Sequence, residues 1–227
     1  MNNVSNKKGI CAYCGEEKGI TDDHIPPQCI FPKPRTTALI VVPCCEPCRV
    51  GWSMDDEEFR RFVWSAAGAE EHPSFEKAAD KIISSINRLE AQDYRNRVLS
   101  SIGDIEMYSE AGSSVGNQPM MKLEWDRVER VLTRIVRGLF FQRNKKLIPD
   151  DHELIIKAPD VKLFNVLDKY PFEQIANICD GVFRYWLCEL NDDKTHSLWL
   201  MSFCDSIWVL GYICPTKNAI KSLNQTK

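Results

Sequence analysis

Apolar residues recur every three or four positions in three stretches of the chain, and each predicts an amphipathic helix. Ser53 can cap the first, with Asp55, Asp56 and Glu57 in its opening turn. Phe59, Phe62, Val63 and Ala66 then step through to Gly68. Ser74 can cap the second, in which Phe75, Ala78, Ile82, Ile86 and Leu89 share a face. The third, about Leu123 to Phe141, has the clearest pattern. Val128, Val131, Leu132, Ile135, Val136, Leu139 and Phe140 form one side, and Arg127, Arg130, Arg134 and Arg137 the other.

Elsewhere the pattern changes to strand length. Thr37 to Val42 is a β-branched apolar run that stops at Pro43. Val182–Leu190, Ser197–Phe203 and Ile207–Cys214 are strand-like and separated by turn residues (Asn191-Asp192-Asp193-Lys194 and Asp205-Ser206), which predicts a three-stranded antiparallel meander. Leu154–Ile156 reads as a short strand, and Val161–Leu167 and Phe172–Cys179 as short helices. Residues 109–119, small and polar with two glycines and a proline, read as a loop or linker. The fold class is therefore α+β in three regions: a cysteine-rich module over 1–68, a helical region with a basic amphipathic helix over 69–150, and an α+β region over 151–227.

Composition narrows the function classes. A 227-residue chain with 44% hydrophobic and 27% charged residues is ordinary for a soluble globular protein. No run approaches the roughly 18 apolar residues of a membrane span. The N-terminus lacks the apolar segment of a secretion signal, so the expected location is the cytoplasm. There, ten cysteines point to metal binding rather than to disulfides. The net charge of −3 leaves nucleic-acid binding to local basic patches.

Cys11 and Cys14 flank a tight turn with Gly15 behind it, and Cys45 and Cys48 repeat the spacing. Four thiolates in two such pairs suit a closed, tetrahedral, structural Zn²⁺ site. Cys44 could replace Cys45, although the symmetry of the pairs favours Cys45. The thirty residues between the pairs include Asp23-His24-Ile25-Pro26-Pro27. A neutral histidine can deprotonate water near pH 7, and the adjacent carboxylate can hold a divalent cation against a phosphate.

The order CAYC, then DHIPP, then Phe-Pro, then VPCCEPC, then the acidic DDEEFR segment resembles zinc-bound HNH endonucleases of the bacterial ββα-metal (His-Me finger) type. The segment RVLTRIVRGLFF is similar to one that these proteins carry downstream. The resemblance covers residues 11–66 and extends to 122–150. It implies an N-terminal zinc-stapled ββα-metal module, with His24 as general base, Asp23 as ligand of a catalytic Mg²⁺ or Mn²⁺, and the four cysteines on Zn²⁺.

Two positions depart from the family pattern. The family has Asn or His directly after the second cysteine pair, where this chain has Arg49, and the middle Asn is missing around Leu39 and Ile40. Arginine offers no lone pair to a metal. Arg49 can contact the phosphate directly, or Asp55 or Asp56 can supply the missing ligand, or the centre is inactive.

The expected function is a metal-dependent endonuclease acting on DNA, or on RNA, with Arg127, Arg130, Arg134 and Arg137 as an unpaired row along the phosphates. The alternatives are a zinc module that binds nucleic acid or a protein partner without cutting, and the nuclease subunit of a defence or mobile-element complex. Trp186, Trp199 and Trp208 read as residues of a packed sheet face.

Overall fold

The computed structural model describes residues 8–88, 92–109, 111–192 and 194–216. Its first unit is a three-stranded antiparallel sheet of β1 (Lys8–Ile10), β2 (Glu17–His24) and β3 (Val41–Cys45), with β2 in the centre. The β1–β2 turn is the first cysteine pair. It closes through hydrogen bonds from Gly15 N to Cys11 O (3.0 Å) and from Cys11 N to Glu16 O (3.1 Å). Gly15 takes a φ of 75°, a backbone that a glycine adopts without steric cost. The chain leaves β3 directly into α1 (Glu46–Arg49), turns at Gly51 (φ 87°) and enters α2 (Trp52–Trp64). Helix α2 begins one residue before the expected Ser53.

Helix α3 (Phe75–Ile86) matches the second helical pattern, and Leu89 lies outside the described residues. After α4 (Gln92–Ser100), the expected loop over 109–119 is in part a strand. β4 (Ile102–Tyr108) and β5 (Ser114–Met121) form a separate two-stranded hairpin. Every residue of β4 is exposed, so the hairpin shows none of the alternation by which a strand is recognised.

The basic helix, α5 (Trp125–Asn144), is the central element. It ends at Lys145, whose backbone is left-handed (φ 54°). Its apolar side packs on a five-stranded antiparallel sheet with strand order β6-β10-β9-β8-β7. These strands are β6 (His152–Lys157), β7 (Glu173–Ile178), β8 (Phe183–Glu189), β9 (Ser197–Phe203) and β10 (Ile207–Pro215). The expected meander is the middle of this sheet. β6 adds to β10 on one edge and β7 to β8 on the other. The short helix expected over Phe172–Cys179 is thus a strand. The open edge of β8 offers hydrogen-bond partners that outweigh a weak local preference. Helix α6 (Val161–Leu167) forms as expected, with the Asp160 carboxylate accepting from Leu163 N at 2.7 Å.

One continuous core draws on all three expected regions. It includes Ile25, Ile30 and Phe31 from the cysteine-rich part, Phe59 and Val63 from α2, Leu132, Ile135 and Leu139 from α5, and Phe183, Trp199, Met201 and Phe203 from the large sheet. Phe59 meets Phe203 edge to face at 5.3 Å. Burial of each such side chain is worth about 1.5–3 kcal/mol, so this seam ties the N-terminal unit to the large sheet. Trp199 lies in this core, while Trp186 and Trp208 stack on each other at 5.3 Å on the outer side of the sheet. No helix among the described residues is long and apolar enough to cross a membrane.

Two details set how α5 packs, one against the small sheet and one against α2. Gly138 sits where a Cβ would fall 2.7 Å from Ile25 Cδ1, so the missing side chain is what lets β2 approach. Glu58 of α2 accepts from Glu124 N at 2.8 Å, just before α5, and also from Arg61 Nη1 at 2.8 Å. Arg61 Nη2 in turn donates to Ser101 Oγ at 2.7 Å, beside β4. These buried charges anchor α2 against the start of α5.

Candidate functional site

The hairpin turn and the β3–α1 junction bring Cys11, Cys14, Cys45 and Cys48 together. Their four sulfurs lie within 4.8 Å of one another, with Cys14 and Cys45 at 3.7 Å. Sulfurs bound at about 2.3 Å to one tetrahedral zinc stand about 3.8 Å apart, so the cluster can hold a metal ion such as zinc. Backbone amides of Cys45 (3.4 Å) and Tyr13 (3.5 Å) point at Cys11 Sγ. Burial works against ionisation of this thiol, but the amides outweigh it and lower its pKa to about 7. Cys44, the alternative ligand, is not in the cluster. Its side chain is buried and donates to Cys45 O at 3.3 Å, and burial pushes its thiol upward.

Asp23 and His24 end β2, opposite Val42 and Val41 of β3. Successive side chains of a strand point to opposite faces, and here the alternation separates the pair. Asp23 shares its face with Ile25, the residue against Gly138, and so is directed at α5. His24 is half-buried and belongs to the other face. Sequence adjacency does not place the two side chains side by side.

Asp23 meets a chain of polar side chains. Tyr13 OH donates to Asp23 Oδ2 at 2.5 Å, and Arg134 Nε lies 3.9 Å from the same oxygen. Arg134 Nη2 forms a short bond to Asp56 Oδ1. The guanidinium, with only 5% of its side chain exposed, also stacks over Trp52 with its central carbon 4.3 Å from the ring centroid. Trp52 in turn meets the Tyr13 ring edge-on at 5.1 Å. Burial disfavours the charged guanidinium, but Asp56 and Asp23 outweigh it and hold Arg134 protonated. Burial pushes the Asp56 carboxyl upward against the pull of Arg134, and the charges of Asp23 and Asp55 add to the rise. Asp56, the weaker candidate metal ligand, is therefore brought toward Asp23, but through a guanidinium.

Two more arginines of the row are paired as well, contrary to the expected open stripe. Arg130 donates twice to Asp55, and Arg127 donates to Asp55 at 2.8 Å and to Glu124 at 2.7 Å. Burial opposes ionisation of Asp55, yet the hydrogen bonds from Arg130 and Arg127 prevail and hold its carboxyl below the usual range. Arg137 remains exposed and makes no salt bridge among the described residues. The acids of α2, expected either to favour the start of that helix or to supply a metal ligand, are counter-ions for α5.

Between the Cys48–Trp52 turn and α5 lies an open cleft of about 880 Å³. Val50 and Trp52 line one wall, and Arg127, Arg130, Arg134 and Arg137 the other, with the carboxylates of Asp55, Asp126 and Glu129 among them. Arg49 is exposed nearby, its Nη1 donating to Thr21 Oγ1 at 3.3 Å. Thr21 lies two positions before Asp23 on β2 and so shares its face. Tyr13, Trp52 and Gly138 were not singled out in the sequence. An aromatic inside a CxxC and a glycine in a helix carry no signal of what they will touch.

Compared with family models, curated proteins and solved structures, the chain matches none.

Proposed function

We propose that this chain is an HNH-type module, braced by a structural Zn²⁺ on Cys11, Cys14, Cys45 and Cys48, that holds nucleic-acid phosphates in the cleft beside α5 without cleaving them. The single observation that carries this reading is the Asp23–Arg134–Asp56 chain. The carboxylate that the HNH resemblance makes a metal ligand already has a guanidinium and a phenol as partners.

The cysteine cluster fits zinc in donor type, number and spacing. Zinc there would join β1, β2, β3 and α1 and add to their folding free energy. The catalytic Mg²⁺ or Mn²⁺ fits poorly. Arg134 links the two available carboxylates, and Arg49, at the remaining ligand position, offers only N–H donors. Without that ion, no hydrolytic step through Asp23 follows. What remains is phosphate binding. Arg137 and the half-exposed Arg130 line a cleft with apolar and aromatic flanks, and Arg49 lies in sequence between its lining residues Cys48 and Val50. Such contacts hold a backbone without reading its sequence.

The test is fluorescence anisotropy of the zinc-loaded protein with duplex DNA, single-stranded DNA and RNA of mixed sequence, together with plasmid incubation in Mg²⁺ or Mn²⁺. Salt-sensitive binding without nicking is the expected outcome. Absence of binding to all three at low salt overturns the reading.

The second reading is the metal-dependent endonuclease, alone or within a defence or mobile-element complex. The order of two antiparallel strands, cysteine cluster and helices around Asp23-His24 favours it. It predicts nicking that His24→Ala abolishes.

A further inference from the structure

We propose that Arg134 is a built-in cation: its guanidinium takes the place at Asp23 and Asp56 that a divalent ion would need, so that the native site excludes Mg²⁺ and Mn²⁺. Three contacts and near-complete burial converge on this one side chain. Its Nη2 bonds Asp56, its Nε faces Asp23 Oδ2 at 3.9 Å, its plane covers Trp52 at 4.3 Å, and water reaches almost none of it.

Charge explains the arrangement. Two partly buried carboxylates brought together, with 13% and 30% of their side chains exposed, require a counter-charge, because an unpaired ion with little access to water is disfavoured. A divalent ion could supply it by binding oxygens of both. A guanidinium supplies it covalently, with a charge that does not titrate in the accessible pH range and a plane that can stack on indole. The two solutions compete, since a second cation beside Arg134 would be repelled by it and would have to break the Asp56 bond.

The surroundings are built around the guanidinium. Tyr13 OH donates to Asp23 Oδ2, the same oxygen that Arg134 Nε faces, and so gives that carboxylate the hydrogen bond that the guanidinium at 3.9 Å does not. Arg127 and Arg130 engage Asp55 separately, which leaves Arg134 to Asp56 and Asp23. Gly138, four residues further along α5, permits the approach of β2 that brings Asp23 within reach.

The choice of divalent ion rests on the HNH reading, but cation exclusion by Arg134 is measured without nucleic acid, so the two can fail separately. Mn²⁺ is titrated into the zinc-loaded full-length chain and followed by electron paramagnetic resonance. The wild type should bind no Mn²⁺ up to about 1 mM, the weak end of useful divalent sites. Arg134→Met should gain one site, with affinity raised roughly tenfold or more, because two carboxylates then lack a counter-ion. The Arg134→Met, Asp23→Asn double variant should lose that site again.

A wild-type site that Asp23→Asn removes would overturn the proposal. So would a folded Arg134→Met chain that binds no Mn²⁺. If Arg134→Met does not fold, paramagnetic broadening in the wild type decides. Unchanged Tyr13, Asp23 and Asp56 amide signals support exclusion, and selective broadening of all three overturns it.

Discussion

Arg130 holds Asp55 with two parallel hydrogen bonds, Nε to Oδ2 and Nη2 to Oδ1, each of 2.8 Å. The pair joins α5 to α2 across 75 residues of sequence, and Arg127 adds a third bond to the same carboxylate. Arginines that resemble a free basic stripe thus act first as the counter-ions of the neighbouring helix. Only those with spare donors or exposure are left for a ligand.

This clamp makes stability depend on acid. Because Asp55 is held below its unfolded pKa, its contribution is present above about pH 4 to 5 and is lost as pH falls through the lowered folded value. Asp55→Asn should cost about 2 kcal/mol near neutral pH. The gap between variant and wild type in urea unfolding should be full at pH 7 and shrink toward pH 3. A pH-independent gap would mean that the carboxylate charge is not what the arginines stabilise.

The cysteine cluster assigns its ligands by direction. Cys45→Ser should release the metal and lower the melting temperature, while Cys44→Ser should keep one zinc per chain, because Cys44 turns toward a backbone carbonyl. Metal content after gel filtration distinguishes the two. Equal loss of zinc from both variants would contradict the geometry.

Two arginines separate binding from folding. Arg137 is exposed and makes no salt bridge among the described residues, so Arg137→Ala should stay within about 0.5 kcal/mol of wild-type stability. It should nevertheless reduce the salt slope of nucleic-acid binding by about one. Arg130→Ala should weaken binding and also destabilise, since it strips two bonds from Asp55. Unchanged affinity in Arg137→Ala would remove this wall of the cleft from the binding surface.

The shared core predicts cooperative loss. Phe59→Ala removes a fully buried ring from between α2 and the large sheet and should cost about 3–5 kcal/mol. Far-UV circular dichroism and tryptophan fluorescence should then shift their unfolding midpoints together. An N-terminal transition separating from that of the large sheet would show that the seam does not couple them.

The elements that were legible in advance are those whose signal is local. The spacing of Cys11, Cys14, Cys45 and Cys48, the apolar period of α5 and the strand runs of β8 to β10 each follow from chemistry repeated along the chain at intervals set by knuckle, helix or sheet geometry. The adjacency of Asp23 and His24 was visible too, but not its consequence, because strand alternation sends neighbouring residues to opposite faces. Several features came only from tertiary structure. β7 is a strand because β8 has a free edge, and the β4–β5 hairpin shows no alternation because all of β4 meets solvent. Arg134 is buried because α2 and the small sheet cover the side of α5 that a two-sided helix would leave to water. The sequence determined which charges exist and on which helix each lies. Their pairing depended on packing, because ion pairs form between whichever groups the burial of apolar faces brings into reach.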